Sequence, residues 1–285
     1  MQGTVDGFSY GLVTPLVAYL MACLGGALGL RCTGRALLVA GSWRPGWLAL
    51  ASAAMGSGIW TMHFIAMTGF TVAEAPVRYD KATTFASLGL AIVIVGIGIF
   101  IVGYRGAHGT ALFTGGTVTG LGIASMHYLG MAGMRIDGRL EYDTLTVAAS
   151  VAVAMVAATA ALWAAGQVRG FVRSVAASLG MGVAVTGMHY MGMAAVTVHL
   201  HGTATPSTGD SPAALLAPML IGPLAFLCLA GVVVIFDPLT VPGRADWSPA
   251  ERRPGVPAHT VAGHVDRRDQ PRPRRDLGRR PSRTS

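Results

Sequence analysis

The chain has 285 residues, of which 52% are apolar and only 12% charged, and its formal net charge is +8. Soluble domains carry roughly a quarter charged residues, so this composition excludes an ordinary water-soluble globule and points into the lipid bilayer. Three cysteines are too few for a disulfide framework.

Apolar runs near the length of a membrane span recur along the chain, and they predict seven transmembrane helices at 9–30, 46–70, 83–103, 111–134, 144–165, 172–197 and 213–236. Residues 1–8 carry one charge, Asp6, and no basic stretch. That predicts a first helix that is retained rather than cleaved, behind an extracytoplasmic N-terminus. Arg31, Arg35 and Arg44 follow the first span, Arg105 the third, and Arg169 and Arg173 the fifth. The opposite side has Arg78, Lys81, Arg135 and Arg139. Residues 238–285 hold eleven arginines. Basic residues stay in the cytoplasm, so the expected topology is N-terminus outside and C-terminus inside a cytoplasmic (inner) membrane. The positive charge then reports topology and not nucleic-acid binding.

The outer loops carry Glu74, Asp80, Asp137, Glu141, Asp143 and Asp210. They read as solvated polar loops, with cation enrichment as the alternative. Cys23, Cys32 and Cys228 read as small packing residues, Cys32 at the end of the first span. A thiolate ligand from Cys23 or Cys228 is the alternative. Beyond Asp237 the chain is rich in Arg and Pro, which predicts a disordered cytoplasmic tail over 237–285. Its arginines could also meet anionic lipid headgroups.

One phrase occurs three times. It reads Met62-His63-Phe64-Ile65-Ala66-Met67, then Met126-His127-Tyr128-Leu129-Gly130-Met131, then Met188-His189-Tyr190-Met191-Gly192-Met193. The pattern is M-H-[FY]-x-[AG]-M, and each copy lies near the end of the second, fourth or sixth run. The period equals two spans, so the repeats are parallel and the three motif helices run the same way. The expected fold is an all-α membrane protein: three tandem two-helix repeats plus a seventh helix. Glycines at 56, 58, 120, 122, 180, 182 and 187 predict motif helices at the centre of a tight bundle.

An intramembrane histidine is costly and marks a functional site by default. Three at one depth read as one site, with a purely structural polar layer as the alternative. His and the later Met of each motif stand four residues apart, on one helix face. Imidazole and thioether together suit copper, above all Cu(I). Zinc could use the histidines but not the methionines. Met21, Met55, Met155, Met181 and Met219, outside the motifs, read as packing. Phe64, Tyr128 and Tyr190 read as interface aromatics or as walls of the site. His199 and His201 read as a surface pair, with metal capture as the alternative. His108, His259 and His264 carry no site signal.

The threefold motif in a seven-span chain resembles the MHYT domain, a bacterial integral-membrane sensor module, over about residues 9–236. The resemblance implies a sensor with a copper centre near the outer face, able to bind a diatomic gas such as O2, CO or NO. It carries the ligands onto Met62, His63 and Met67, onto Met126, His127 and Met131, and onto Met188, His189 and Met193. Two departures stand out. The motif's threonine is replaced by Ile65, Leu129 and Met191. Such modules often precede a cytoplasmic diguanylate cyclase, phosphodiesterase or histidine kinase domain, and residues 237–285 are too few for one. That predicts a separate cytoplasmic signalling protein as recipient. A copper transporter or channel, or a haem-binding membrane protein, are the competing functions. An enzyme is not expected, because the spans offer no nucleophile–base pair and no paired carboxylates.

Overall fold

The computed structural model describes residues 2–39, 41–167, 171–201 and 211–236. The tail expected over 237–285 lies outside the described residues. Among the described residues seven helices stand at or near the predicted places: α1 (Val13–Leu38), α2 (Arg44–Thr68), α3 (Lys81–Arg105), α4 (Gly109–Ala132), α5 (Thr144–Gln167), α6 (Phe171–Ala194) and α7 (Pro212–Ile235). The molecule is all-helical in its core and membrane-like. Among the described residues five helices, α1, α2, α3, α5 and α7, are long and apolar enough to cross a bilayer. Helices α4 and α6 have the length but less apolarity, because Gly, Ser, Thr and His dilute them.

The first helix starts later than predicted and runs on to Leu38. Gly11, with φ +60°, turns the chain before it. Cys32 is therefore fully buried inside α1 instead of marking its end. Arg35 sits over the Trp47 ring, 5.7 Å from its centroid, so the charge does not end the helix.

Helices α1 to α6 pack side by side in sequence order, and α6 packs back on α1 to close a ring. Helix α7 stands against α2 and also reaches α1. Close approach on the α1–α2 side depends on bare backbone. A Cβ on Gly25 would lie 2.6 Å from Gly58 Cα, so only hydrogen fits there. Gly120 on α4 meets Met155 Cα on α5 in the same way, at 2.4 Å. The expectation of tight packing fails at Gly180 and Gly187, whose absent side chains would face open space. Helix α6 instead leaves a cavity of about 410 Å³ against α5, walled largely by alanines.

Short strands, which the sequence reading did not foresee, close one end of the bundle. β1 (Val5–Asp6) pairs antiparallel with β2 (Thr71–Val72), β3 (Arg78–Tyr79) with β4 (Met134–Arg135), and β5 (Gly138–Tyr142) with β6 (Val196–Leu200). The loops after α2, α4 and α6 are thus stitched in pairs. The N-terminal segment supplies the remaining link, because Gly3 N–H donates to Val198 O at 2.9 Å. Phe70, Val72, Val77, Met134, Val198 and Leu200 turn inward and join the core. The underside of this cap is therefore apolar.

Three of the loop carboxylates, besides meeting solvent, also make local hydrogen bonds. Asp80 caps α3 by accepting from Thr83 N–H and Oγ1–H, and Asp143 accepts from Thr146 in the same way. Glu74 accepts from Thr4 N–H at 2.8 Å. These hydrogen bonds hold all three carboxyls below their ordinary pKa.

Candidate metal centre

Helices α2, α4 and α6 end at Thr68, Ala132 and Ala194. His63, His127 and His189 each precede that end by five residues, so they lie about 7.5 Å below it, in one layer. The repeat spacing in the sequence thus becomes a common depth in space. All three side chains turn to the middle of the ring and are at most 1% exposed.

Their Nδ1 atoms form a triangle. His63 and His189 are 3.0 Å apart, His63 and His127 3.2 Å, and His127 and His189 3.3 Å. The rings stand edge to face, with centroids 4.9, 4.9 and 5.1 Å apart. Among the described residues this is the one cluster of three or more His, Cys, Asp or Glu that could hold a metal ion.

Hydrogen bonds alone leave one of the three contacts unfavourable. A neutral imidazole Nδ1 carries either a proton or a lone pair. Among three nitrogens at least two are in the same state, so at least one of the three contacts sets proton against proton or lone pair against lone pair. A cation at the centre removes the conflict, because all three lone pairs can then point inward. The size also fits. A triangle with these sides has a circumradius of about 1.8 Å, and metal–imidazole bonds are about 2.0–2.1 Å. His63, His127 and His189 would each offer one imidazole nitrogen to such an ion.

Each histidine rests edge-on against the aromatic of its own motif: His63 on Phe64 at 4.6 Å, His127 on Tyr128 at 4.8 Å, His189 on Tyr190 at 4.9 Å. Each aromatic thus touches its motif histidine, and Tyr190 also stacks on the exposed Phe8. Tyr128 OH bonds Ser150 Oγ on α5 at 2.6 Å. Phe64 packs on Trp60 at 4.7 Å, and Trp60 Nε1–H donates to Thr84 O and Ser87 Oγ on α3. Sequence reasoning missed Ser150, Ser87 and Trp60, although a polar residue in an apolar span was a usable signal.

Met62, Met67, Met126, Met131 and Met188 are buried in the core, and Met193 packs half-buried against it. Cys23 and Cys228 do not join the histidine cluster. His199 lies on β6 at the surface, where its Nε2 is 2.9 Å from Glu141 Oε2, and Glu141 also pairs with Arg139. His201 N–H donates to Asp137 O. Neither belongs to the central triangle.

Comparison with known proteins gives the same repeat. The MHYT family, described as a bacterial signalling protein N-terminal repeat, matches residues 56–115 and 120–178. The third motif lies beyond these stretches. A bifunctional diguanylate cyclase/cyclic di-GMP phosphodiesterase, MucR of Pseudomonas aeruginosa, is 33% identical over 235 residues, 80% of this chain and 34% of that protein. A cyclic di-GMP phosphodiesterase of the same organism, NbdA, is 32% identical over 214 residues, 69% of this chain and 26% of its own. The signaling protein YkoW of Bacillus subtilis is 29% identical over 198 residues, 67% of this chain and 24% of its own. The chain therefore spans about a third or less of these relatives. No solved structure gives a significant match.

Proposed function

Because the chain belongs to the MHYT family, a family of bacterial membrane signalling modules, we propose that it senses through a copper ion held by His63, His127 and His189. The triangle of Nδ1 atoms supports the reading, since a cation at its centre would meet all three lone pairs at once. The motif methionines Met62, Met67, Met126, Met131, Met188 and Met193 supply thioethers for the reduced ion. Copper in such a site offers redox change and an open position for a diatomic ligand such as O2, CO or NO. The chain's own part is to fix the donors and to keep bulk water out. The apolar underside of the strand cap and the aromatic beside each imidazole serve that end.

In this reading all seven helices cross the inner membrane. The N-terminus and the strand cap face outward and the arginine-rich tail faces the cytoplasm, following the positive-inside rule. The lipid bilayer is the solvent of the outer helix faces. Output passes to cytoplasmic signalling machinery, as the names of the longer relatives suggest. A ligand can drive such output only by binding one helix arrangement better than another.

The geometry weighs against the alternatives. A haem would need a slot between its axial ligands, and the three imidazoles stand 4.9–5.1 Å apart, ring against ring. A transport route needs sites at several depths, and the histidines form one layer.

The deciding measurement is metal content of the detergent-purified protein after copper loading. One copper per chain, lost in His127→Ala with helix content unchanged, supports the reading. Wild-type protein that retains no copper under oxidising or reducing conditions overturns it.

A further inference from the structure

The fifth position of the motif is small in every copy: Ala66, Gly130 and Gly192. Two of these residues face the histidine of the preceding copy. A Cβ on Gly130 would stand 2.7 Å from His63 Nε2 and 3.2 Å from its Cδ2. A Cβ on Gly192 would stand 2.5 Å from His127 Nε2 and 3.1 Å from its Cδ2. So α4 presents bare backbone to the imidazole of α2, and α6 presents bare backbone to the imidazole of α4.

The Nε2 atoms of His63 and His127 are buried and meet no hydrogen-bond partner. A polar atom left so is costly, so hydrogen bonding does not explain why the rings stand as they do. Shape does. On one edge each ring abuts a glycine. On the other, its Nδ1 already stands 3.0–3.3 Å from the other two Nδ1 atoms. Phe64 closes a further side of His63, and Tyr128 a further side of His127. A ring end can usually swing away from a new methyl. Here the open directions lead into the other imidazoles or into an aromatic wall.

We infer that Gly130 and Gly192 are positioning residues: each orients the histidine of the preceding repeat, and together they select Nδ1 as the inward-facing donor. The motif then acts across repeats, its histidine serving one helix and its glycine the next. The inference builds on the metal reading, but its packing half stands without any metal.

The packing half is tested on the full metal-free chain in detergent by a double-mutant cycle on thermal unfolding. Gly130→Ala is expected to lower the midpoint by several degrees, and most of that loss is expected to vanish in a His63→Ala background. A His189→Ala background, which frees one direction for the His63 ring, should relieve the loss only in part. Gly192→Ala should couple to His127→Ala in the same manner. Gly187→Ala, on α6 with open space around it, serves as control and should be silent. A Gly130→Ala loss that is unchanged by His63→Ala overturns the pairing. So does a Gly130→Ala chain as stable as wild type. The donor half is read by copper titration with electron paramagnetic resonance of Cu(II). Gly130→Ala and Gly192→Ala should weaken copper binding at least tenfold and alter the nitrogen superhyperfine pattern, while Gly187→Ala leaves both unchanged. Unaltered spectra in both glycine variants overturn the donor selection. A wild type without copper overturns the metal reading and the donor half, and the cycle still decides the packing half.

Discussion

His63 Nδ1 lies 3.0 Å from His189 Nδ1, although 126 residues separate them in the chain. The contact exists because two parallel helices end at the same level and place their histidines five residues before that end. With His127 added, at least one of the three contacts in this buried cluster is between like atoms. That tension makes the site testable in stability as well as in metal content.

Replacing one histidine by a residue of similar bulk removes the conflict among Nδ1 atoms. His127→Leu is expected to cost the metal-free chain less than about 1.5 kcal/mol, the range of tolerated core swaps. Copper at about a hundred times its dissociation constant should stabilise wild type by about 2.7 kcal/mol and leave the variant unmoved. Calorimetry or circular dichroism with and without copper reads both.

Thioether favours the reduced ion. Met67→Leu, Met131→Leu and Met193→Leu should therefore weaken Cu(I) retention more than Cu(II), as read by competition with chelators of each state. Met55→Leu, at a buried position outside the motifs, should change neither. Equal effects from Met55 and the motif methionines would assign the latter to packing alone.

The two motif tyrosines should differ. Tyr128 OH is bonded to Ser150 Oγ, whereas Tyr190 OH is buried without a partner. Tyr128→Phe is expected to destabilise by about 1 kcal/mol, and Tyr190→Phe to be neutral or slightly stabilising. Denaturation of the two variants side by side decides it, and equal losses would contradict the assignment.

The cap should loosen in acid. Asp80, Asp143 and Glu74 have pKa values lowered by hydrogen bonds from Thr83, Thr146 and Thr4. A depressed folded pKa means that their stabilisation is complete above the unfolded values, near pH 4, and is lost as pH falls through the folded ones. Hydrogen exchange at the strand residues should speed up below about pH 4 before the helices respond. Asp80→Asn with Asp143→Asn should flatten much of that dependence.

Topology is open to a direct test. A reporter fused after Leu239 should be active only if it requires the cytoplasm, and a cysteine placed at Thr71 should be labelled from outside. External activity of the fusion would reverse the proposed orientation.

Much of the helical fold was legible because apolar run length and Gly-rich spans are local signals. Six helices fall within three residues of the predicted runs and the first is shifted toward Leu38, and the period of His63, His127 and His189 located the centre. The strand cap was not legible. Its pairs are two to five residues long and join segments far apart, such as Val5 with Val72, so no local periodicity announces them. The place of α7 against α2 was equally hidden, because an evenly apolar helix carries no sign of which neighbour it will cover. Gly187 misled, since composition counts small residues without saying which of them face another helix. Gly130 and Gly192 were visible as letters of the motif, but their partners lie one repeat upstream and only the closed ring reveals them.

The link from Gly3 to Val198 ties the first described residues to the last described strand. Synthesis delivers those ends far apart in time. Helices α1 to α4 can pair as they emerge, since their contacts are between sequence neighbours. The third imidazole, the α6–α1 seam and the final stitch of the cap must all wait for residues 189–200. Until then the first two histidines lack their companion and the end of the bundle stands open. Under the proposed copper reading, metal loading is then a late event that follows completion of the sixth helix, and a nascent chain halted before residue 189 should bind no copper.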